Sequence, residues 1–317
     1  MTFNTPIRIG TRKSALALVQ THMVVDALKK AHPELATEGA IEVIHLNTLG
    51  DSTQKQNLSL VEHGGKALWA SEHEQAMREG LVDCAVHSAK DIPGLLPEDM
   101  IMPCFMPRAA VEDVFLSPSA KTLDDLPTGA VFGTSSPRRQ AWVLSKRPDL
   151  KVVTFRGNVG SRLDKLKNGD VDASFLALAG MQRAGYEDRV QTVMKTSDMI
   201  PAVGQGAIGI EFMKNRQDLV EVFEAINCIE TRLCVEVERA WLRVMDGTCR
   251  SPLAGYAEFT KDDHIKLNVM AARLDGSEAS YETVEGEVTT VNEAIELGAN
   301  LGQKMKTILP PDFFEAA

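Results

Sequence analysis

"IRIGTRKSALALVQ" at residues 7–20 and "AVFGTSSPRRQAWVL" at residues 130–144 follow one plan. Each starts as a short apolar strand, passes through Gly-Thr, and opens from a polar loop into an amphipathic helix. A second pair, "REGLVDCAVHS" at 78–88 and "KNGDVDASFLAL" at 167–178, ends a helix at a glycine suited to the left-handed conformation and then runs through Val-Asp into a buried strand. The chain therefore repeats itself weakly, and two lobes of like construction are expected. Strands alternating with helices predict doubly wound α/β lobes, with mostly parallel sheets covered on both faces and binding groups at the carboxyl ends of the strands.

Outward from these stretches, the first lobe is expected over 1–106 and the second over 112–200. "PAVGQGAIGIE" at 201–211 reads as a return crossing, which gives the first lobe residues 207–224 as well. Two crossings between lobes imply a hinge. In "IETRLCVEVERAWLRVM", at 229–245, Leu233, Val237, Ala240, Trp241 and Val244 fall on one helical stripe, with Glu236, Glu238 and Arg243 expected in water. Beyond residue 249, partial period-2 alternation in "IKLNVMAARLDG" and "ASYETVEGEV" precedes a final helix near Val291 to Ile308. A small C-terminal α+β domain is expected over 229–317.

With 317 residues the chain exceeds the usual size of one hydrophobic core, and 44% hydrophobic with 25% charged residues is the composition of a soluble globular protein. The start, "MTFNTPIRIGTRK", has no apolar core of the secretory kind and no run is long enough to cross a bilayer, so a cytoplasmic protein is expected. A formal net charge of -10 argues against nucleic acid as a partner, because phosphate binding needs a basic surface. It leaves room for a local cationic cleft. Five cysteines without CxxC spacing imply neither a disulfide framework nor a metal site.

Arginines and lysines follow several predicted strand ends: Arg12 and Lys13, Lys90, Arg138 and Arg139, Arg156 and Arg162, and Arg183. A guanidinium fork matches a carboxylate bidentately and a helix N-terminus adds backbone donors, so "GTSSPRRQ" and "FRGNVGSR" are candidate anion sites. The alternative is that these arginines only solvate the surface; recurrence in both lobes weakens it. In "VHSAKDIP", Asp91 lies just beyond a buried strand, placed either to face a developing cation or merely to make a turn. His87 reads as a satisfied structural histidine. Cys84, Cys104, Cys228 and Cys234 read as buried filler, whereas Cys249 in "MDGTCRSPLAG" sits on a loop beside Arg250, which favours the thiolate. "VEHGGKALWASEHE" joins Gly64 and Gly65 to Lys66 as a mobile loop or an ordinary one, and it lacks P-loop spacing.

Taken in order, "GTRKSALALVQ", "TLGD", "GGKALW", "DCAVHSAKDIP", "GTSSPRRQ", "RGNVGSRLDKL", "LALAGMQRAG", "PAVGQGAIGIE" and "DGTCRSP" resemble the hydroxymethylbilane synthase (porphobilinogen deaminase) family. The resemblance implies two periplasmic-binding-protein-like lobes, a small α+β domain, and a dipyrromethane cofactor joined by thioether to Cys249. It implies that Asp91 is the catalytic carboxylate. By the same match Lys90, Ser136, Arg138, Arg139, Arg156 and Arg162 handle the cofactor, and Arg12, Ser14, Gln20, Lys66, Arg183 and Gln205 the substrate, porphobilinogen. The implied reaction joins four porphobilinogens head to tail with loss of ammonia and releases a linear tetrapyrrole for porphyrin and heme synthesis. Ala67, Trp69, the "SEHE" at 71–74 and Glu62 depart from the family's usual GGKGLFxKELE loop and alter its charge and flexibility. The rival is a non-catalytic, two-lobed carboxylate-binding protein, which gives no reason for a third domain presenting Cys249. A monomer is expected, since no extended exposed apolar stripe is evident.

Overall fold

The computed structural model describes residues 6–46, 67–245 and 251–314. The first quoted stretch is a strand, β1 (Ile7–Arg12), and a helix, α1 (Ala15–Ala31). There follow β2 (Ile41–Leu46), α2 (Ala67–Arg78), β3 (Cys84–Ser88) and β4 (Met100–Phe105). The repeat supplies β5 (Asp113–Leu116), β6 (Val131–Gly133), α3 (Pro137–Lys146), β7 (Lys151–Val153), α4 (Val159–Lys167), β8 (Ala173–Ala177), α5 (Leu178–Arg183) and β9 (Thr192–Val193). Then come β10 (Ile208–Met213), α6 (Gln217–Glu224) and α7 (Ile229–Val244), and finally β11 (Leu253–Lys261), β12 (His264–Ala272), β13 (Ala279–Glu287) and α8 (Val291–Ile308). The chain forms two compact units, Met1–Ala109 with Gly206–Arg232, and Ala110–Gln205 with Leu233–Ala317.

The first unit holds a sheet of order β2-β1-β3-β10-β4, and the second a sheet of order β7-β6-β8-β5-β9. The two are one topology written twice, with β10 standing in the first where β5 stands in the second. The expectation of mostly parallel sheets holds, since four of the five strands in each sheet point the same way and one is reversed. β1 runs parallel to β2 and β3, but β10 runs antiparallel to β3 and β4, and β5 likewise opposes β8 and β9. In each sheet the strand next to a chain crossing enters from the opposite end, so half of the pairings are reversed.

The Val-Asp repeat has a local cause. Asp83 donates its N–H to the Arg8 carbonyl and accepts the Arg8 N–H on its carboxylate, both at 2.8 Å. Asp172 does the same to Val131, at 2.8 and 2.7 Å. Each aspartate thereby ties the entry of its strand to the start of the central strand, and the preceding Gly80 and Gly169 take φ of 68° and 82° to make the approach.

The first sheet buries Ile9, Val24, Leu28, Cys84, Ile210 and Phe212. In the second, Phe115 packs with Phe132, Trp142 and Phe175 on one face, while Val114 and Leu116 join Phe155, Leu176 and Met181 on the other. That is the period-2 alternation of a strand covered on both sides. The antiparallel sheet β11-β12-β13 packs on α7 and α8 through Leu267, Val269, Val237, Trp241, Leu301 and Met305. Gly298 lets α8 lie close on α7, since a Cβ there would run into the Val237 carbonyl. Glu238 of α7, expected in water, is fully buried: its carboxylate accepts from Gly204 N at 2.7 Å and from Ala257 N at 2.8 Å. It thus pins the "PAVGQG" crossing to β11. Among the described residues no helix is long and apolar enough to cross a membrane, and no group of three or more His, Cys, Asp or Glu could hold a metal.

Candidate active site

In the first unit the site residues gather where β1 and β3 end. Arg12 is the last residue of β1, and Ser14 caps α1, its hydroxyl accepting from Ala17 N at 3.3 Å. Gln20, on the buried side of α1, donates to the Ser88 hydroxyl at 2.8 Å, and Ser88 ends β3. Lys90 and Asp91 follow at once, half-buried, in the single 3-10 turn Ala89–Asp91. Ala89 N donates to Ala207 O at 3.0 Å, so the turn that carries Asp91 is fastened to the return strand. Lys66 lies outside the described residues.

Behind this turn, His87 is buried as expected of a structural histidine. Its Nε2 lies 2.9 Å from the Glu211 carboxylate, within ion-pair distance though out of line for a hydrogen bond. Its ring meets that of His73, from α2, edge-on at 5.1 Å. Burial and the nearby Glu211 charge push the Glu74 carboxyl up to about 7. A carboxyl raised in the folded state binds its proton more tightly there, so stability falls as pH rises from the ordinary carboxylate range through about 7. Because Glu74 is half-exposed, the effect is discounted to about 1 kcal/mol. Glu74→Gln is therefore expected to raise the thermal midpoint at pH 8 by about 2–4 °C and to leave it unchanged below pH 4.5. Scanning fluorimetry at the two pH values checks this, and an equal gain at both would remove the ionisation as its cause.

In the second unit Ser136 caps α3. Arg138 and Arg139 are buried, at 4% and 8% exposure, which goes against the alternative that they only solvate the surface. Each donates through Nη2 to a separate oxygen of Asp113 at 2.6 Å, and through Nη1 to a carbonyl, Ile200 at 2.9 Å and Phe175 at 2.8 Å. Gln205, fully buried, donates to Val111 O at 2.6 Å and to Asp113 Oδ1 at 3.2 Å. Of the expected site residues, Arg138, Arg139 and Gln205 are thus brought together by a carboxylate that the sequence reading did not include. Desolvation would raise Asp113, but the two guanidinium charges and their hydrogen bonds overcome it and hold its carboxyl below the usual range.

Arg156 follows β7 and is 7% exposed, and among the described residues it has no ion pair and its Nε no hydrogen-bond partner. Burial alone lowers its pKa, as it does for Arg183 at the end of α5. Arg162 lies half-buried on α4. Of the cysteines, Cys84, Cys104 and Cys234 are buried; Cys228 is half-buried and precedes α7, a departure from the filler reading. Cys249 lies outside the described residues.

Residues 7–221 match the family model "Porphobilinogen deaminase, dipyromethane cofactor binding domain", and residues 232–307 match "Porphobilinogen deaminase, C-terminal domain". The chloroplastic porphobilinogen deaminase of Oryza sativa subsp. japonica is 44% identical over 310 residues, 98% of this chain and 86% of that protein. The porphobilinogen deaminase of Nitrobacter winogradskyi is 42% identical over 306 residues, 96% of this chain and 94% of that protein. Among solved structures, the periplasmic aliphatic sulphonate binding protein SsuA from Escherichia coli covers 76% of this chain and 70% of its own at TM-score 0.40 and 16% identity. With both family domains matched in order and relatives this similar along nearly the whole length, the chain belongs to the porphobilinogen deaminase family.

Proposed function

We propose that Asp91 is the catalytic carboxylate of this chain and that Cys249 anchors its dipyrromethane cofactor. The reaction comes with the family: porphobilinogen units are joined head to tail with loss of ammonia, the transferase reaction of a hydroxymethylbilane synthase. When bound, the dipyrromethane supplies the free pyrrole carbon on which the chain is built. Its acetate and propionate groups, and those of each substrate, call for repeated cations. The buried Arg156 carries this reading: a desolvated guanidinium with no ion pair among the described residues is costly unless a carboxylate from outside completes it.

Around it, Lys90, Ser136, Arg138, Arg139 and Arg162 are assigned to the cofactor, and Arg12, Ser14, Gln20, Lys66, Arg183 and Gln205 to the substrate. Loss of ammonia from porphobilinogen leaves a methylene cation conjugated with the ring nitrogen. A fixed carboxylate at Asp91 stabilises that charge, because it is already oriented when the charge develops. After the new bond forms, the ring proton leaves and aromaticity returns; after the last addition, a proton returned to the joining pyrrole carbon would break the bond between the primer and the first unit, and water would capture the methylene cation so released, lose a proton and give the free hydroxymethyl product. The same reading divides the chain into a first lobe of 1–106 with 207–224, a second of 112–200 and a C-terminal domain of 229–317, and takes the protein as a cytoplasmic monomer.

Incubating the purified protein with porphobilinogen is expected to consume the pyrrole and release one ammonia per unit, with a linear tetrapyrrole that closes with loss of water and is then oxidised by air to porphyrin. Binding without ammonia release is the behaviour of a non-catalytic carboxylate-binding protein and would overturn the reading.

A further inference from the structure

The internal repeat allows each position of one lobe to be compared with its counterpart. Ser14 accepts from Ala17 N and Ser136 from Arg139 N, so Leu16 and Ala17 of α1 stand where Arg138 and Arg139 stand in α3. β1 pairs Ile9 with Cys84, and β6 pairs Phe132 with Ala173, which aligns β3 with β8. On those strands Ser88 faces Ile208, and Ala177 faces Asp113. The first lobe thus builds this corner from Leu16, Ala17 and a fully buried Ile208, and the second builds it from two arginines and an aspartate. The fold does not need the ions. Buried ion pairs are also weak sources of stability compared with well-packed apolar residues, so the second lobe's triad calls for a reason beyond folding.

We infer that Asp113 is a positioning residue: it aims the Arg138 and Arg139 forks and cancels one of their two charges, presenting ligand carboxylates with a fixed pair of net single positive charge. This rests on the proposed role of the two arginines. Each Asp113 oxygen takes one guanidinium at 2.6 Å, and Gln205 holds the same carboxylate at 3.2 Å. Asp113 itself opens β5 and is hydrogen-bonded in the sheet between β8 and β9, so it moves little. Without it, two buried like charges repel and the forks lose their common reference.

The test is a double-mutant cycle on purified Asp113→Asn, Arg139→Gln and the double variant, read by intact mass for the fraction carrying the cofactor, and by KM and kcat below the melting range of all proteins. Asp113→Asn is expected to lower the loaded fraction and to raise KM about tenfold with a smaller fall in kcat. Acting through the two arginines, it should change either quantity clearly less in the Arg139→Gln background, where only Arg138 is left to position. Normal loading and KM in Asp113→Asn, or effects that multiply in the double variant, overturn the inference; a merely structural loss of stability would multiply. Where Asp113→Asn does not fold, Asp113→Glu, which keeps the charge but displaces the two oxygens that aim the forks, takes its place in the same cycle with the same two outcomes. A wild-type protein that neither carries the cofactor mass nor consumes porphobilinogen sinks the proposed function itself, a result separable from the others.

Discussion

Cys249→Ser is expected to yield a folded protein without the added mass of a dipyrromethane, without colour in an acidic aldehyde reagent, and without turnover. A serine hydroxyl stays protonated at neutral pH and does not replace a thiolate as the nucleophile that forms the bond. The described cysteines offer poor substitutes. Burial pushes the Cys104 thiol up to about 12 and the Cys84 thiol higher still, so neither forms a thiolate at neutral pH, and Cys234 is buried on the inner face of α7. Cys228 is half-buried, and Cys228→Ser serves as the control that should keep both mass and activity. Retention of the mass in Cys249→Ser would move the anchor elsewhere, with Cys228 the first place to look.

The repeat was legible because it is written in local chemistry: Gly-Thr before a capped helix, and Gly followed by Val-Asp before a buried strand. The last helix was legible from apolar spacing alone and spans Val291–Ile308. Glu238 shows how charge misleads. It lies four residues after Cys234 and three before Trp241, both buried, so helical spacing puts it inside; only its residue type suggested water. Arg138 and Arg139 hid their partner for another reason. Their partner Asp113 lies 25 and 26 residues away on a strand of another sheet position, and no local pattern tells which of Glu112 and Asp113 turns inward. The antiparallel entry of β10 and β5 is likewise a property of where the chain crosses, which periodicity does not record.

Asp91→Asn is expected to reduce kcat by about 10² to 10³ while KM changes little, because the positive charge it faces develops only after porphobilinogen has bound and ammonia is leaving. Asparagine keeps the size of the side chain and one carbonyl oxygen, so the turn Ala89–Asp91, held by Ala89 N on Ala207 O at 3.0 Å and Ile92 N on Ala89 O at 3.2 Å, has no reason to change. Those bonds are made by the backbone, and the thermal midpoint should stay at its wild-type value. The variant should still carry the cofactor when it is supplied, which separates a slow reaction from failed assembly. Asp91→Glu restores the charge on a longer arm and should recover part of the rate, whereas a role in the turn alone would leave Asn, the better turn residue, nearer to wild type than Glu. Pre-steady-state measurement of the first ammonia released, on protein shown by mass to be fully loaded, decides between them: a first turnover in Asp91→Asn as fast as in the wild type removes Asp91 from the chemistry.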